Sequence, residues 1–359
     1  MPNYAKIMRK FFSNIFLLLM TLILLFVVGE VSLRIYHFFK NPAGGPQTAM
    51  EFQLDKELGW RATENHKFKG IFKDAAQKPY SVDFETNRYG FRIFGDLNSK
   101  KRKIMVIGDS LTQAVQVSND KTYYGIISQR LAVEVFAYGC GGYGTLQEYM
   151  ILDKYADIIK PDIIIWQFCT NDFINNDYEL ELNSTSNNNG TRRPYLSVDG
   201  QIYYAVPAKH KFIKYVRENI NPHSKLLAFI FKRADKITAY INKNNTIEND
   251  IAAQGPEHPG FKRASRLTAR LMKMVRERCP HANILVFCGD DGSPFYEEIK
   301  KIAQENHMAF IDGIPQAIAA ANQTGATTYA EDKAHWNELG QKIVAEKLID
   351  YLTKNNIVN

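Results

Sequence analysis

The sequence predicts an α/β protein: a three-layer α/β/α sandwich with a parallel sheet of about five strands, preceded by an N-terminal transmembrane helix. Three observations predict it. From Lys103 onward, short apolar runs alternate with stretches of helical periodicity, the pattern of a parallel sheet covered on both faces. The apolar runs at 104–107, 133–138 and 162–168 each lead into a turn rich in Gly, Asn or Asp. Near the N-terminus a long apolar stretch follows a basic tip.

The elements follow in chain order. Lys6, Arg9 and Lys10 precede residues 11–31, which are apolar apart from Ser13, Asn14, Thr21 and Glu30. That length suffices to cross a bilayer, for which about 20 residues are needed. No small-x-small cleavage motif follows, so the stretch reads as an uncleaved signal anchor; a cleaved signal peptide is the alternative. The basic tip then stays cytoplasmic and the rest of the chain lies across the membrane. Residues 1–36 form this tip and anchor. Residues 37–100 form a linker, including the Pro/Gly-rich 41–46, and a small β-rich lead-in with short strands near Tyr80–Phe84. Residues 101–359 form the main domain. Its strands are 104–107, 133–138, 162–168, 284–288 and 308–311, and its helices 123–131, 146–159, 266–278 and 296–305. A closing amphipathic helix covers 339–352, with Leu339, Ile343, Val344 and Leu348 on one stripe. An insertion at about 173–262 interrupts the alternation. Its front is Asn-rich and predicts loop, residues 193–206 predict a hairpin turning at Asp199-Gly200, and 209–242 are basic and helical in pattern.

An apolar content of 45% with 12% aromatic residues in a 359-residue chain suits a globular core. The formal charge of +7 is spread over scattered Lys and Arg without a nucleic-acid motif, so no nucleic-acid partner is expected. Cys140, Cys169, Cys279 and Cys288 form neither a CxxC pair nor a metal cluster. They read as small buried thiols, with no metal and no cofactor implied.

Four stretches carry chemistry. Ser110 follows the first strand in Gly108-Asp109-Ser110, the position where open α/β sheets present functional groups. A serine becomes a nucleophile only beside a base. Residues 139–144 read Gly-Cys-Gly-Gly-Tyr-Gly after the second strand, a run whose backbone amides can face an oxyanion. Thr170-Asn171-Asp172 follows the third strand, and the Asn171 carboxamide is a candidate donor. Asp332-Lys333-Ala334-His335 supplies a base with a carboxylate close enough to fix its tautomer. Taken singly, each has a plain structural reading: helix cap, tight turn, Asx-turn, surface pair.

Together, in this order, Gly108-Asp109-Ser110, Gly142, Thr170-Asn171-Asp172 and Asp332-x-x-His335 resemble the four blocks of the SGNH (GDSL-type) hydrolase superfamily, over roughly 103–352. The segment Asn87-Arg88-Tyr89-Gly90-Phe91-Arg92 is similar to one preceding the serine block in membrane-anchored bacterial members. The resemblance implies a flavodoxin-like strand order 2-1-3-4-5. It also implies Ser110 as nucleophile, His335 as base, Asp332 as its orienting carboxylate, and an oxyanion hole of Ser110, Gly142 and Asn171. Where the family's third block usually begins with Gly, this chain has Cys169. The implied activity is hydrolysis of carboxylic esters, O-acetyl or short acyl, on a glycan, lipid or small-molecule carrier. An O-acetyltransferase acting on an envelope polysaccharide would use the same residues. A non-catalytic glycan-binding scaffold would have no need of both Ser110 and the Asp332/His335 pair.

Overall fold

The computed structural model describes residues 2–40, 52–220, 223–241 and 246–358; the linker expected at 41–46 lies outside them. The chain divides into two compact units, residues 1–45 with 210–241 and residues 46–209 with 242–359.

The larger unit is built on a six-stranded sheet. Its strands are β1 (Ile93–Phe94), β2 (Arg102–Gly108), β3 (Val133–Gly139), β4 (Ile163–Phe168), β5 (Asn283–Cys288) and β6 (Ala309–Phe310), in the order β6-β5-β4-β2-β3-β1. Strands β2 to β6 are parallel and follow the expected 2-1-3-4-5 order. The sheet is mixed, however, because β1 pairs antiparallel to β3, Ile93 opposite Ala137. Two residues give no periodicity to read, so this edge strand is invisible to pattern analysis.

Both faces of the sheet are buried, which is why the parallel strands are continuous apolar runs rather than alternating ones. Along β2, Met105 and Ile107 pack on one side with α3 (Thr145–Ile159), α6 (Pro259–Arg278) and α7 (Phe295–Glu305). Ile104 and Val106 pack on the other with α2 (Tyr123–Arg130), α8 (Ile314–Gln323) and α9 (Glu338–Lys354). The two-residue pleat thus divides one apolar run between two cores. Leu348, on the stripe of the closing helix, is completely buried in the second core.

Two hairpins make the β-rich lead-in: Phe52–Asp55 with Gly59–Ala62, and Lys67–Lys73 with Pro79–Glu85. The Arg193–Leu196 and Ile202–Ala205 strands pair as expected, with Gly200 in the left-handed region at φ +87°. The Asn-rich front of the insertion departs from expectation. Short helices occupy Thr170–Asn176 and Tyr178–Asn183 before the chain becomes irregular. Asp177 caps the second by accepting from the Leu180 amide at 2.9 Å. Asn176 Nδ2 donates to both Thr145 and Thr268 hydroxyls, each at 2.9 Å, which ties the side chain into the fold.

Among the described residues the smaller unit contains three α-helices, α1 (Pro2–Lys40), α4 (Lys211–Asn219) and α5 (Lys225–Ile241). Residues Lys6–Tyr36 of α1 are long and apolar enough to cross a membrane, with mean hydropathy 2.7 and no part of that window buried in protein.

Leu348→Ala removes a side chain that the core cannot fully collapse around. It is expected to cost about 2–5 kcal/mol, read as a lower urea midpoint at unchanged m-value.

Candidate active site

The carboxyl ends of β2, β3 and β4 lie side by side, with Gly108 opposite Gly139 and Ile107 opposite Trp166. The chain leaves β2 for β3 on one side and returns to β4 on the other, so β2 is the topological switch point where such sheets open a crevice. The short helix Ser110–Gln113 starts directly at that tip. Its return brings backbone against the strand ends. A Cβ on Gly108 would lie 2.3 Å from Thr112 Oγ1, and one on Gly139 2.2 Å from the Gln113 amide nitrogen.

Ser110 does not cap its helix. Asp109 does, its carboxylate accepting from the Leu111 amide at 2.9 Å. Burial pushes the Asp109 carboxyl up, opposed by that hydrogen bond and by the nearby His335. The Ser110 hydroxyl is thereby left to the cavity, and its amide, at the first helical position, has no intrahelical partner.

Within the glycine run, the amides of residues 140, 141, 143 and 144 are engaged by Gly108 O, Gln113 Oε1, Cys140 O and Gln147 Oε1 respectively. Gly142 N makes no hydrogen bond among the described residues. Its φ of +76° is left-handed, and a Cβ there would meet Asn189 Oδ1 at 2.6 Å. The Gly142 carbonyl accepts from Arg193 Nη1 at 3.0 Å and Asn189 Nδ2 at 3.3 Å. Arg193 is buried, paired with Glu181 at 3.2 Å, and also donates to Gln147. The lead-in holds the same loop from outside: Trp60 Nε1 donates to Gly141 O at 2.9 Å and Tyr143 hydroxyl to Trp60 O at 2.7 Å.

Cys169 stands in extended backbone at φ −126°, so a side chain is accommodated where the family usually has Gly. The Asp172 carboxylate accepts from the Cys169 amide at 2.7 Å and fixes the turn. Asn171 Nδ2 donates to Asn175 Oδ1 at 3.3 Å. Asn175 in turn donates to Asn187 O at 2.8 Å, which orients its carboxamide.

His335 follows a tight turn closed by the Ala330 amide on His335 O at 2.8 Å, with Lys333 at φ +57°. Asp332 Oδ1 accepts from the amides of Ala334 and His335, and Oδ2 meets His335 Nδ1 at 2.7 Å. Gln116 Nε2 reaches Asp332 at 3.3 Å from the segment after Ser110. Burial favours the neutral imidazole, but the Asp332 hydrogen bond and charge together hold His335 above its ordinary range. Burial likewise opposes the Asp332 charge, yet its hydrogen bonds with His335 keep the carboxyl well below the usual carboxylate range.

Ser110, Gly142, Asn171 and His335 line one cavity of about 640 Å³, together with Thr170, Asn175, Ser186, Asn187, Asn189, Asp290 and Lys333. Asp332 stands behind His335. No direct Ser110–His335 hydrogen bond is present among the described residues; such contacts commonly tighten only around substrate. A separate groove of about 550 Å³, lined by Asp74, Tyr80, Arg130 and Glu338, contains neither Ser110 nor His335. All four cysteines are free and buried, and no group of His, Cys, Asp or Glu able to hold a metal occurs among the described residues.

Sequence reasoning missed Gln113 and Arg193, and named Asp172 and Arg92 only as members of their motifs, without a role. The buried Arg92 guanidinium donates to the carbonyls of Gln113, Ala114 and Val117, pinning the chain beyond Ser110. It lies within the segment 87–92 already singled out, which was the available signal. Arg193 is 51 positions from the carbonyl it holds, and nothing local marks it.

A parallel α/β sheet thus presents Ser110 at its switch point, with the Asp332-bonded His335 in the same cavity. Residues 106–343 match the GDSL-like Lipase/Acylhydrolase family. The chain belongs to that family and is a carboxylic ester hydrolase. No match is found among curated proteins. Similar solved structures include the psychrotrophic esterase EstA from Pseudoalteromonas sp., at 9% identity and TM-score 0.38, covering 71% of this chain and 98% of that one. A lipase/acylhydrolase from Enterococcus faecalis has 13% identity and TM-score 0.38, covering 71% and 96%. The acetylxylan esterase Axe2 from Geobacillus stearothermophilus has 14% identity and TM-score 0.37, covering 70% and 94%. These likenesses are distant, and the family assignment rests on the sequence match.

Arg193→Met leaves Glu181 buried without its partner and is expected to cost about 3–5 kcal/mol, measured by denaturant unfolding. Gly142→Ala is expected to lower ester turnover severely while leaving the unfolding midpoint much less affected, because the strain falls on one loop.

Proposed function

We propose that this protein hydrolyses short acyl esters, O-acetyl groups foremost, carried on a polar, hydroxyl-rich molecule such as an envelope glycan. The reading is supported by one observation above others: Ser110, Gly142, Asn171 and His335 share a cavity while Asp332 holds His335 by Nδ1. Fixing Nδ1 as the protonated nitrogen leaves Nε2 as the base.

In the proposed reaction His335 Nε2 takes the Ser110 proton as Oγ attacks the ester carbonyl. The oxyanion is received by the Ser110 amide, the unengaged Gly142 amide and Asn171 Nδ2. Collapse expels the alcohol, which takes the proton from His335. Water, activated by the same imidazole, releases the acid from Ser110. The lining supports a polar carrier: beside Leu111, Tyr329 and Trp336 it sets Asn171, Asn175, Asn187, Asn189, Ser186 and Asp290, which offer hydrogen bonds, whereas a long acyl chain needs predominantly apolar walls.

Residues 101–359 are proposed as the hydrolase domain, with 1–36 an uncleaved anchor placing it on the extracytoplasmic side. Lys6, Arg9 and Lys10 before the span and the length of α1 support that orientation.

The full chain in detergent is expected to cleave p-nitrophenyl acetate faster than the palmitate ester, and Ser110→Ala to abolish turnover without changing the circular dichroism spectrum. Equal turnover by parent and Ser110→Ala would refute the assignment. Acetyl transfer to an added polysaccharide in preference to water would make the enzyme a transferase. Asn171→Ala is expected to lower kcat about 10²–10³-fold, the loss of one oxyanion donor.

A pH dependence follows from His335. The base form is required, so activity falls as pH drops through its raised pKa. Asp332→Asn removes the carboxylate charge that raises it, and the acidic limb is expected to move to lower pH. The maximal rate should fall on the order of 10²–10⁴-fold, read from kcat/KM profiles.

A further inference from the structure

An acidic side chain in a span otherwise built for lipid needs a partner, and Glu30 of α1 has one on α5. Glu30 accepts the amides of Lys225 and Leu226 at 3.1 and 2.9 Å and the Ser224 hydroxyl at 2.9 Å. These are the donors that the start of a helix leaves unsatisfied. Ser224 Oγ adds a bond from the Leu227 amide at 3.1 Å. Arg34 completes the joint, reaching Glu30 at 2.7 Å and His223 O at 2.9 Å. Beside it, a Cβ on Gly29 would lie 3.1 Å from Leu226. A carboxylate on one helix thus caps another nearly two hundred positions away.

This joint has a defined depth. Phe11 to Glu30 rises about 28 Å at 1.5 Å per residue, close to the roughly 30 Å hydrocarbon thickness of a bilayer. Glu30 therefore falls at the far boundary when Lys10 stands at the near one. Among the described side chains of α1 only Gly29, Glu30 and Leu33 are partly covered. The cover on the described part of α1 is thus concentrated at the turn that holds Glu30.

Helix α5 is amphipathic. Leu226, Ile230, Ile237 and Ile241 fall on one stripe at helical spacing, and Lys225, Lys232, Arg233 and Lys236 outnumber the single acid, Asp235. Its apolar side is uncovered: Ile230 is 48% exposed, Ile237 59% and Ile241 71%. Helix α4 joins it through Arg217 stacked 5.2 Å over Phe231 and adds Phe212, 76% exposed. An apolar stripe beside a basic face at the boundary of a span is the pattern of a helix lying in the headgroup layer.

We propose that α4 and α5 form a platform resting on the anionic lipid surface from which α1 emerges, with Glu30 setting its depth. Ile230, Ile237 and Phe212 enter the acyl boundary and the basic side chains meet lipid phosphates. Because residues 210–241 are flanked on both sides by chain of the hydrolase unit, the platform gives that unit two covalent links to the surface besides the one after α1. The inference rests on α1 crossing the membrane, and the test separates the two.

The full chain is placed in liposomes of phosphatidylcholine and phosphatidylglycerol, with a nitroxide on one introduced cysteine at a time; the four native thiols are buried. Labels at Leu22→Cys, Ile230→Cys and Lys232→Cys are compared for relaxation by oxygen and by a water-soluble nickel chelate. The expected result is a deep label at 22 and nickel accessibility several-fold lower at 230 than at 232. Adding Glu30→Ala should raise accessibility at 230 toward that at 232 with 22 unchanged. Equal accessibility at 230 and 232, with 22 still deep, overturns the platform alone. Spin–spin broadening at 230 that unlabelled protein dilutes away overturns it in favour of a second copy covering this face. An aqueous label at 22 removes both the span and the platform.

Discussion

Two glycines facing each other across adjacent strand ends set the geometry from which the cavity is built. Gly108 and Gly139 are registered opposite one another, and neither has room for a methyl group. Only with both bare can the turn carrying Ser110 fold back against the sheet and leave Gln113 near enough to take the Gly141 amide. Engagement of that amide, with those of residues 140, 143 and 144, leaves Gly142 as the loop's unengaged donor. Ser110 and the glycine loop are thus positioned by one close approach, not by two independent adjustments.

A second layer of groups holds this arrangement without touching the cavity. Arg92 gathers three carbonyls after Ser110, Arg193 holds the Gly142 carbonyl, and Asp172 fixes the Cys169 amide. Each is an ionisable side chain buried against backbone, where a made bond is worth most and a lost one costs most. The insertion is therefore not a separable ornament. Its hairpin reaches the glycine loop at Gly142 through Arg193, while residues 210–241 belong to a different compact unit.

How much of this was legible in the sequence depended on distance along the chain. The five parallel strands were readable because burial on both faces leaves unbroken apolar runs, and three stretches of the candidate site because they sit at strand ends. The pair Ile93-Phe94 was too short to register. Asn175 and Asn176 suggested loop by composition, but their carboxamides are absorbed by Thr145, Thr268 and Asn187. Arg193 and Gln113 act on backbone brought near only by folding, so no local pattern could mark them. Nor could the Glu30–α5 joint be read, since its halves are 194 to 196 positions apart.

The cysteines carry a consequence of their own. All four are free and enclosed, and burial pushes the thiols of Cys140, Cys169 and Cys288 well up, holding them in the unreactive S–H form. Oxidants and disulfide exchange act on the thiolate, so these buried thiols are poor targets for either. Three of these thiols are seeded through the first core cluster and one in the second. Cys169 also borders the cavity, so it is alkylation of Cys140, Cys279 or Cys288 in native buffer that keeps time for the opening of the first core, a stopwatch already wired into the unmodified chain.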